Sequence, residues 1–278
     1  MTNHIVHIAC TDAKGLVANI TSTLFKHGVN IEEMREYVDR QLSNFFMRLE
    51  LSGEINHDVI QQELFSLLPL NARVQISLKQ PKDIVVLATK EYHCLSELLL
   101  KHHFGELNAN IKCVIANHEN LSDLTSKFGI PFYFVNHQNK SKEIFEKEIM
   151  EIVKAHSPDY LVLAKFMRIL SPEFVSFFNE KIVNIHHSFL PAFVGANPYR
   201  QAFERGVKMI GATAHFVNNN LDEGPIITQK IVPIDHSFTV ESMISAGHDV
   251  ERQTLIDALK LVFDDRVFVE GNKTVVFA

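Results

Sequence analysis

Glycine is scarce in this chain. Its 278 residues include eleven glycines, and no two stand within four positions of each other. G-x-G-x-x-G and the P-loop both need closer or specific pairs, so a standard dinucleotide or nucleotide site is not expected. The G-x-S-x-G elbow is also missing, which argues against an α/β-hydrolase. Cysteine is sparse too. Cys10, Cys94 and Cys113 form no C-x-x-C pair, as expected of reduced thiols in a cytoplasmic protein. The N-terminal residues show no basic region followed by an apolar stretch, so no secretory signal is read there. No apolar run approaches the ~18 residues of a membrane span. The net charge of -6 gives no reason to expect a nucleic-acid partner, although a local basic pocket could hide in that sum. Fifteen histidines invite a metal, yet H-E-x-x-H is absent. His102-His103 and His186-His187 are adjacent rather than one helical turn apart, so no metal site is expected.

What is present is enough apolar sequence for a full core: 46% of residues are hydrophobic and 22% charged, which needs no disulfide or metal staple at this length. Residues 4–10 are β-prone. Leu16, Val17, Ile20, Leu24 and Phe25 then recur at helical spacing, with Gly28 placed as a C-terminal cap. Extended stretches follow near 30–39 and 43–51. Asn56 caps a second helix, Pro69 closes it, and residues 73–78 alternate again. The order βαββαβ predicts a ferredoxin-like domain over residues 1–80.

A short linker is read at 79–83. Candidate strands at 84–89, 111–116, 132–135, 160–164 and 182–186 then alternate with helical stretches, one of them opened by Ser171-Pro172. Strands at 209–217 and 225–233, a helix near 239–262 and a β-prone tail at 266–277 follow. This rhythm predicts an α/β domain over 84–278, doubly wound around a mainly parallel sheet, with ligands at the carboxyl ends of its strands.

Two stretches carry polar residues suited to chemistry. In V-N-I-H-H-S-F-L-P (183–191), Asn184 and His186 are two apart on a strand end and project to one face. An amide and an imidazole so placed can address one carbonyl oxygen, or they can simply tie down a loop. In N-N-N-L-D-E-G-P-I-I (218–227), Asp222 reads as a turn residue, and spacing alone cannot bring it to His186. Ser188 faces away from its neighbours and reads as a loop hydroxyl. Cys94 reads as an inert thiol.

Taken together, N-I-H-H-S-F-L-P, R-I-L-S at Arg168 and L-D-E-G-P-I-I resemble the folate-dependent formyltransferase and formyl-hydrolase superfamily over 84–278. Three features resemble its formyltetrahydrofolate deformylase branch. His187 and Phe189 stand where the glycinamide ribonucleotide transferases usually have proline and leucine. The glycine-free segment 90–94 replaces their phosphate loop. The first 80 residues resemble an ACT domain, with Asp12, Gly15-Leu16-Val17 and Asn30-Ile31 fitting its pattern and Phe45–Arg48 the deformylase version.

The resemblance implies hydrolysis of 10-formyltetrahydrofolate to tetrahydrofolate and formate, supplying purine synthesis. It implies no cofactor and no metal. Asn184, His186 and Asp222 would be catalytic, donating to the tetrahedral oxyanion, each donor contributing roughly 3–4 kcal/mol, and orienting water or accepting its proton. Met167, Arg168, Ile169 and Leu170, with Asn218 and Leu221 opposite, would hold the folate; for the first group the alternative is an apolar strand end entering a helix. Ser188 would support the site from behind, and His187 would either do the same or occupy space that a second substrate would need. Asp12, Gly15, Leu16 and Asn30 would bind a regulatory amino acid, methionine or glycine, or merely form a turn and helix start, and the ACT domain would pair copies into a homo-oligomer. Two rivals stay open: a formyltransferase passing the same group to an amine, and a folate or amino-acid sensor without turnover.

Overall fold

A computed structural model describes residues 3–192 and 198–278. The chain divides into two compact units, 1–80 with 264–268 and 277–278, and 81–263 with 269–276.

The first unit runs β1 (Asn3–Thr11), α1 (Leu16–Lys26), β2 (Asn30–Asp39), β3 (Asn44–Ser52), α2 (His57–Leu67) and β4 (Arg73–Leu78). Its sheet has the order β2-β3-β1-β4, with antiparallel pairings throughout. Apolar alternation on the strands meets the apolar faces of both helices. Ile8, Met47 and Leu49 from the sheet pack with Ile20, Leu24 and Ile60 from the helices, each 0% exposed. Asn56 caps α2 by accepting from the Val59 N–H at 3.2 Å, a contact worth about 1 kcal/mol. Gly28, at φ 69°, ends α1 as read from the sequence, its N–H donating to the Phe25 carbonyl.

The tail corrects the expected division. Residues 264–268 and 277–278 group with the first unit rather than with 84–278. One tie is Arg48, whose side chain is 1% exposed. It donates to the carbonyls of Asp265 at 2.9 Å and Asp264 at 3.0 Å and to the Glu33 carboxylate at 2.7 Å. A buried guanidinium must have all its donors met, and no local sequence pattern reveals partners more than 200 residues away.

The second unit begins at β5 (Lys82–Ala88) and α3 (His93–His103), then β6 (Ala109–Ala116), a 3-10 turn, α4 (Ser122–Ser126), β7 (Phe132–Phe134), α5 (Lys142–His156), β8 (Tyr160–Ala164), α6 (Pro172–Phe177), β9 (Ile182–His186), α7 (Pro198–Arg205), β10 (Met209–Phe216), β11 (Ile226–Pro233) and α8 (Val240–Phe263). A short ribbon of β12 (Val267–Glu270) and β13 (Lys273–Val276) closes the chain. Lys82 and Asp83, expected in a linker, already pair with Ala109 and Asn110; polar residues at a strand entry hid it. Helix α7 was not foreseen.

The seven-stranded order is β11-β10-β9-β8-β5-β6-β7. The five strands β5 to β9 are parallel; β10 runs against them, and β11, antiparallel to β10, runs in their direction again. Order reverses between β5 and β8, the crevice where such sheets bind ligands. Ser171 caps α6 from its side chain, with proline at the first helical position. No helix among the described residues is long and apolar enough to cross a membrane.

Candidate active site

Asn184 and His186 lie on the last turns of the β9 pleat and line one cavity of about 300 Å³, as their two-residue spacing requires. Asp222 joins them. Strand β10 runs antiparallel to β9, with Thr213 opposite His186 and Phe216 opposite Val183, so the strand itself carries the chain away from His186. The loop after it returns, and the Asp222 carboxylate comes to 3.3 Å from His186 Nδ1. That loop is built tightly. The Asn218 side chain accepts from the Asn220 N–H at 3.0 Å, and the Asn220 amide donates to Glu223 at 3.0 Å. Asp222 itself takes a left-handed φ of 56°, which aspartate tolerates better than most residues. Gly224 is needed for space: a Cβ there would meet the Phe216 carbonyl oxygen at 1.8 Å.

A fourth polar residue completes the group. His215, opposite Asn184 on β10, is 2% exposed. Its Nδ1 lies 2.8 Å from the Phe216 carbonyl, which can only accept, so Nδ1 carries the proton. In the neutral ring Nε2 is then an acceptor and takes a hydrogen bond from the Asn184 amide nitrogen at 3.2 Å. This bond fixes the amide plane, and one amide hydrogen is left for the cavity. Burial opposes ionisation of Asp222, but the hydrogen bond and charge of His186 outweigh it and hold its carboxyl well below the usual carboxylate range. With Nδ1 of His186 turned to Asp222, its Nε2 is buried without a hydrogen-bond partner. Buried polar atoms are rarely left so, and this one belongs to the lining of the cavity.

The opposite wall is apolar and open. Met167, Ile169 and Leu221 are 55, 61 and 57% exposed, and all three line the cavity with Arg168, Leu170 and Asn218. Exposed apolar side chains around one hollow suit a flat aromatic ring. Two backbone donors of this stretch are already taken: the Met167 N–H by the Thr89 hydroxyl at 3.0 Å and the Arg168 N–H by the Phe166 carbonyl at 2.8 Å.

Lys165 also lines the cavity, directly after β8. It is 4% exposed and has φ 60°, a conformation that costs a side-chain-bearing residue roughly 1–2 kcal/mol. Its ammonium stands 3.1 Å from Glu251 and 3.6 Å from Glu91. Glu251, at 0% exposure in the middle of α8, also accepts from His93 Nε2 at 2.8 Å and from the Tyr199 hydroxyl. Gly247, one turn before Glu251, makes room for the Tyr199 ring, which a Cβ would strike at 2.2 Å. Burial works against the charge of Glu251, yet His93, Lys165 and Tyr199 together keep its carboxyl depressed.

Two triads here, Glu91-His93-His248 and His93-Cys94-Glu251, have donor atoms close enough for a metal. The donors do not suit one. The His93 and His248 rings stack parallel at 3.9 Å and 10°, so their in-plane lone pairs cannot converge. In the second triad His93 Nε2 and the Glu251 carboxylate are already bonded to each other at 2.8 Å, and burial, then the negative charge of Glu251, pushes the Cys94 thiol well up. The cation these carboxylates hold is Lys165.

The formyl transferase family profile matches residues 82–259. A formyltetrahydrofolate deformylase of Haemophilus influenzae is 49% identical over 96% of this chain and 96% of its own length. This chain belongs to the formyltetrahydrofolate deformylase family. The crystal structure of a family member from Pseudomonas syringae pv. tomato superposes with a TM-score of 0.95 at 39% identity, covering 100% of this chain and 95% of that one. A glycinamide ribonucleotide transformylase from Symbiobacterium toebii superposes with a TM-score of 0.69 at 28% identity, covering 74% of this chain and 98% of that one.

Sequence reasoning missed His215, Lys165, Glu251, His93 and Tyr199 as site neighbours. For His215 a signal existed: Thr213 and His215 are polar residues two apart in an otherwise apolar strand, hence on one buried face. For Glu251 there was none, since one carboxylate on a helix is usually solvated. His187 is half-buried beside His186, ring centroids 5.0 Å apart; burial, then the charges of Lys165 and His186, lowers its pKa from 6.5 to about 4. Ser188 does not line the cavity; its hydroxyl donates to the Ala192 carbonyl at 2.7 Å, a loop tie.

The four expected regulatory residues are not gathered within one chain. Asn30 pairs with Ser52, which pairs with Asn3 at the start of β1, whereas Asp12 follows Thr11 at its end. A nine-residue strand separates them, roughly 25–30 Å at ~3.3 Å per residue. Leu16 is 4% exposed in the core, and the Asn30 amide is spent on Glu32 at 2.7 Å.

Proposed function

We propose that this chain hydrolyses the formyl group of 10-formyltetrahydrofolate, giving tetrahydrofolate and formate. One observation carries the reading: Asn184, His186 and Asp222 converge on a cavity whose other wall is exposed and apolar. The pteridine ring lies between Met167, Ile169 and Leu221, and the formamide reaches the polar wall. The free amide hydrogen of Asn184 and His186 Nε2 donate to the formyl oxygen as water adds to the carbon and negative charge develops there. A carboxylate held so far below its usual range is a weak base, so Asp222 stabilises the His186 imidazolium and orients the water rather than keeping its proton. As the carbon–nitrogen bond breaks, the imidazolium gives its Nε2 proton to the leaving nitrogen and regains one from the added water. No covalent intermediate is needed.

The same reading places the enzyme in the cytoplasm, with the formate serving purine synthesis, and has the first unit pair copies into a homo-oligomer. A methionine or glycine effector would bind at the Asp12–Gly15 end of its sheet, with Asn30 contributed by a second copy if at all. The experiment is formate release from 10-formyltetrahydrofolate by the purified protein without an added amine, with and without those two amino acids. Amine-independent formate is the expected result; folate binding without formate would leave a sensor.

A further inference from the structure

We propose that Lys165 makes this cavity select water: its ammonium, pinned by Glu251, fills the space that an acceptor amine would need. The inference rests on the hydrolase reading above.

The fold does not exclude transfer to an amine, because the Symbiobacterium toebii transformylase shares it at a TM-score of 0.69. The exclusion must lie in side chains. Lys165 lines the same cavity as Asn184, His186 and Asp222. A lysine is an ammonium at neutral pH and in that form has no lone pair with which to attack the formyl carbon. It is a poor neighbour for a second amine, which would have to enter beside a fixed positive charge. Water is small, about 30 Å³, and its oxygen can accept from the ammonium.

The surroundings are built to keep this one group in place. Glu251 is fully buried and spends its carboxylate on Lys165, His93 and Tyr199. Gly247 leaves the space that Tyr199 occupies. Lys165 itself is held at φ 60°, which glycine would adopt freely. A residue kept in an unfavourable conformation and ion-paired to a buried carboxylate is retained for its side chain.

The transfer that Lys165 prevents is balanced without any redox partner. The amine nitrogen bonds to the formyl carbon, the bond from that carbon to the folate nitrogen breaks, and an amine proton passes to the folate nitrogen. The test incubates the full chain with 10-formyltetrahydrofolate and glycinamide and measures formate and N-formylglycinamide by mass spectrometry. Wild type should give formate alone. Lys165→Gly should give N-formylglycinamide in proportion to glycinamide, at least ~10-fold above wild type, a change of about 1.4 kcal/mol in the relative barriers. Lys165→Met, which keeps the volume without the charge, should give less than Lys165→Gly.

Calorimetric binding of 5-formyltetrahydrofolate reports whether each variant is folded. Should Lys165→Gly fail to bind, the double variant Lys165→Gly with Glu251→Gln removes both charges of the pair and takes its place. A folded, folate-binding glycine variant that yields only formate at every glycinamide concentration overturns the proposal. So does N-formylglycinamide from wild type, or from Lys165→Met at the level of Lys165→Gly. Absence of formate from wild type is a different result, and it defeats the hydrolase reading itself.

Discussion

Two clusters of buried polar groups meet at the same cavity, the second through Lys165 alone, and they are finished differently. On one side stand Asn184, His186, His215 and Asp222, where an amide hydrogen remains and His186 Nε2 has no partner. On the other stand Lys165, Glu251, His93 and Tyr199, where the charges are spent on each other. There only His93 Nδ1 lacks a hydrogen bond, 3.8 Å from Glu91. An unfinished cluster is completed by a ligand and can act on it. A closed one shapes the cavity and contributes to its stability. The contrast predicts that substitutions on the first side damage turnover and that loss of the Glu251 carboxylate on the second damages folding.

The largest expected effect is at Asp222. Asp222→Asn keeps the shape but removes the charge facing His186, and kcat for formate release should fall by about 10²–10³-fold with folate binding intact. Retention of near wild-type turnover would sink the mechanism. Glu251→Ala should do the reverse. Leaving Lys165 buried without its carboxylate should cost roughly 3–5 kcal/mol, read as a lower urea midpoint; a fully stable variant would mean that the cluster is not a unit.

Acid should act on both sides in one direction. The folded pKa values of Asp222 and Glu251 lie below their ordinary values of 3.8 and 4.5. That of His187 is lowered from 6.5 to about 4. In each case the unfolded chain binds more protons as pH falls, so the stability these groups contribute is present above the unfolded pKa and lost below it. Urea unfolding should show stability falling from about pH 6.5 toward pH 4 and further below it, with a flatter slope between pH 6.5 and 4 in His187→Phe. An unchanged slope would remove His187 from that account.

His215→Phe removes the bond that orients Asn184. Turnover should fall roughly 10-fold, about the worth of one hydrogen bond, with no change in folate affinity; an unaltered kcat would make His215 structural only. The smallest effect is remote from both clusters. Asn56→Ala should cost about 1 kcal/mol in urea unfolding and leave kcat alone, whereas an effect on kcat would show that the first unit influences turnover.

Much of the architecture was legible because it is local. Alternation in β3 and β4, the Asn56 and Ser171 caps and the switch from antiparallel to βα rhythm near residue 80 each depend on neighbours a few positions apart. So does the shared face of Asn184 and His186, since a strand repeats every two residues. The tail escaped, because Arg48 draws on carbonyls more than 200 residues away.

What the sequence determined by itself was therefore most of the elements and which motif bears the amide and the imidazole. Only the tertiary structure decided that Asp222 returns to His186, that His215 orients Asn184, and that Lys165 is locked by Glu251 at the cavity wall. The reason is physical. Periodicity and capping act within a turn or a pleat, whereas ion pairs and hydrogen bonds in a buried site join groups whose separation along the chain carries no information about their separation in space.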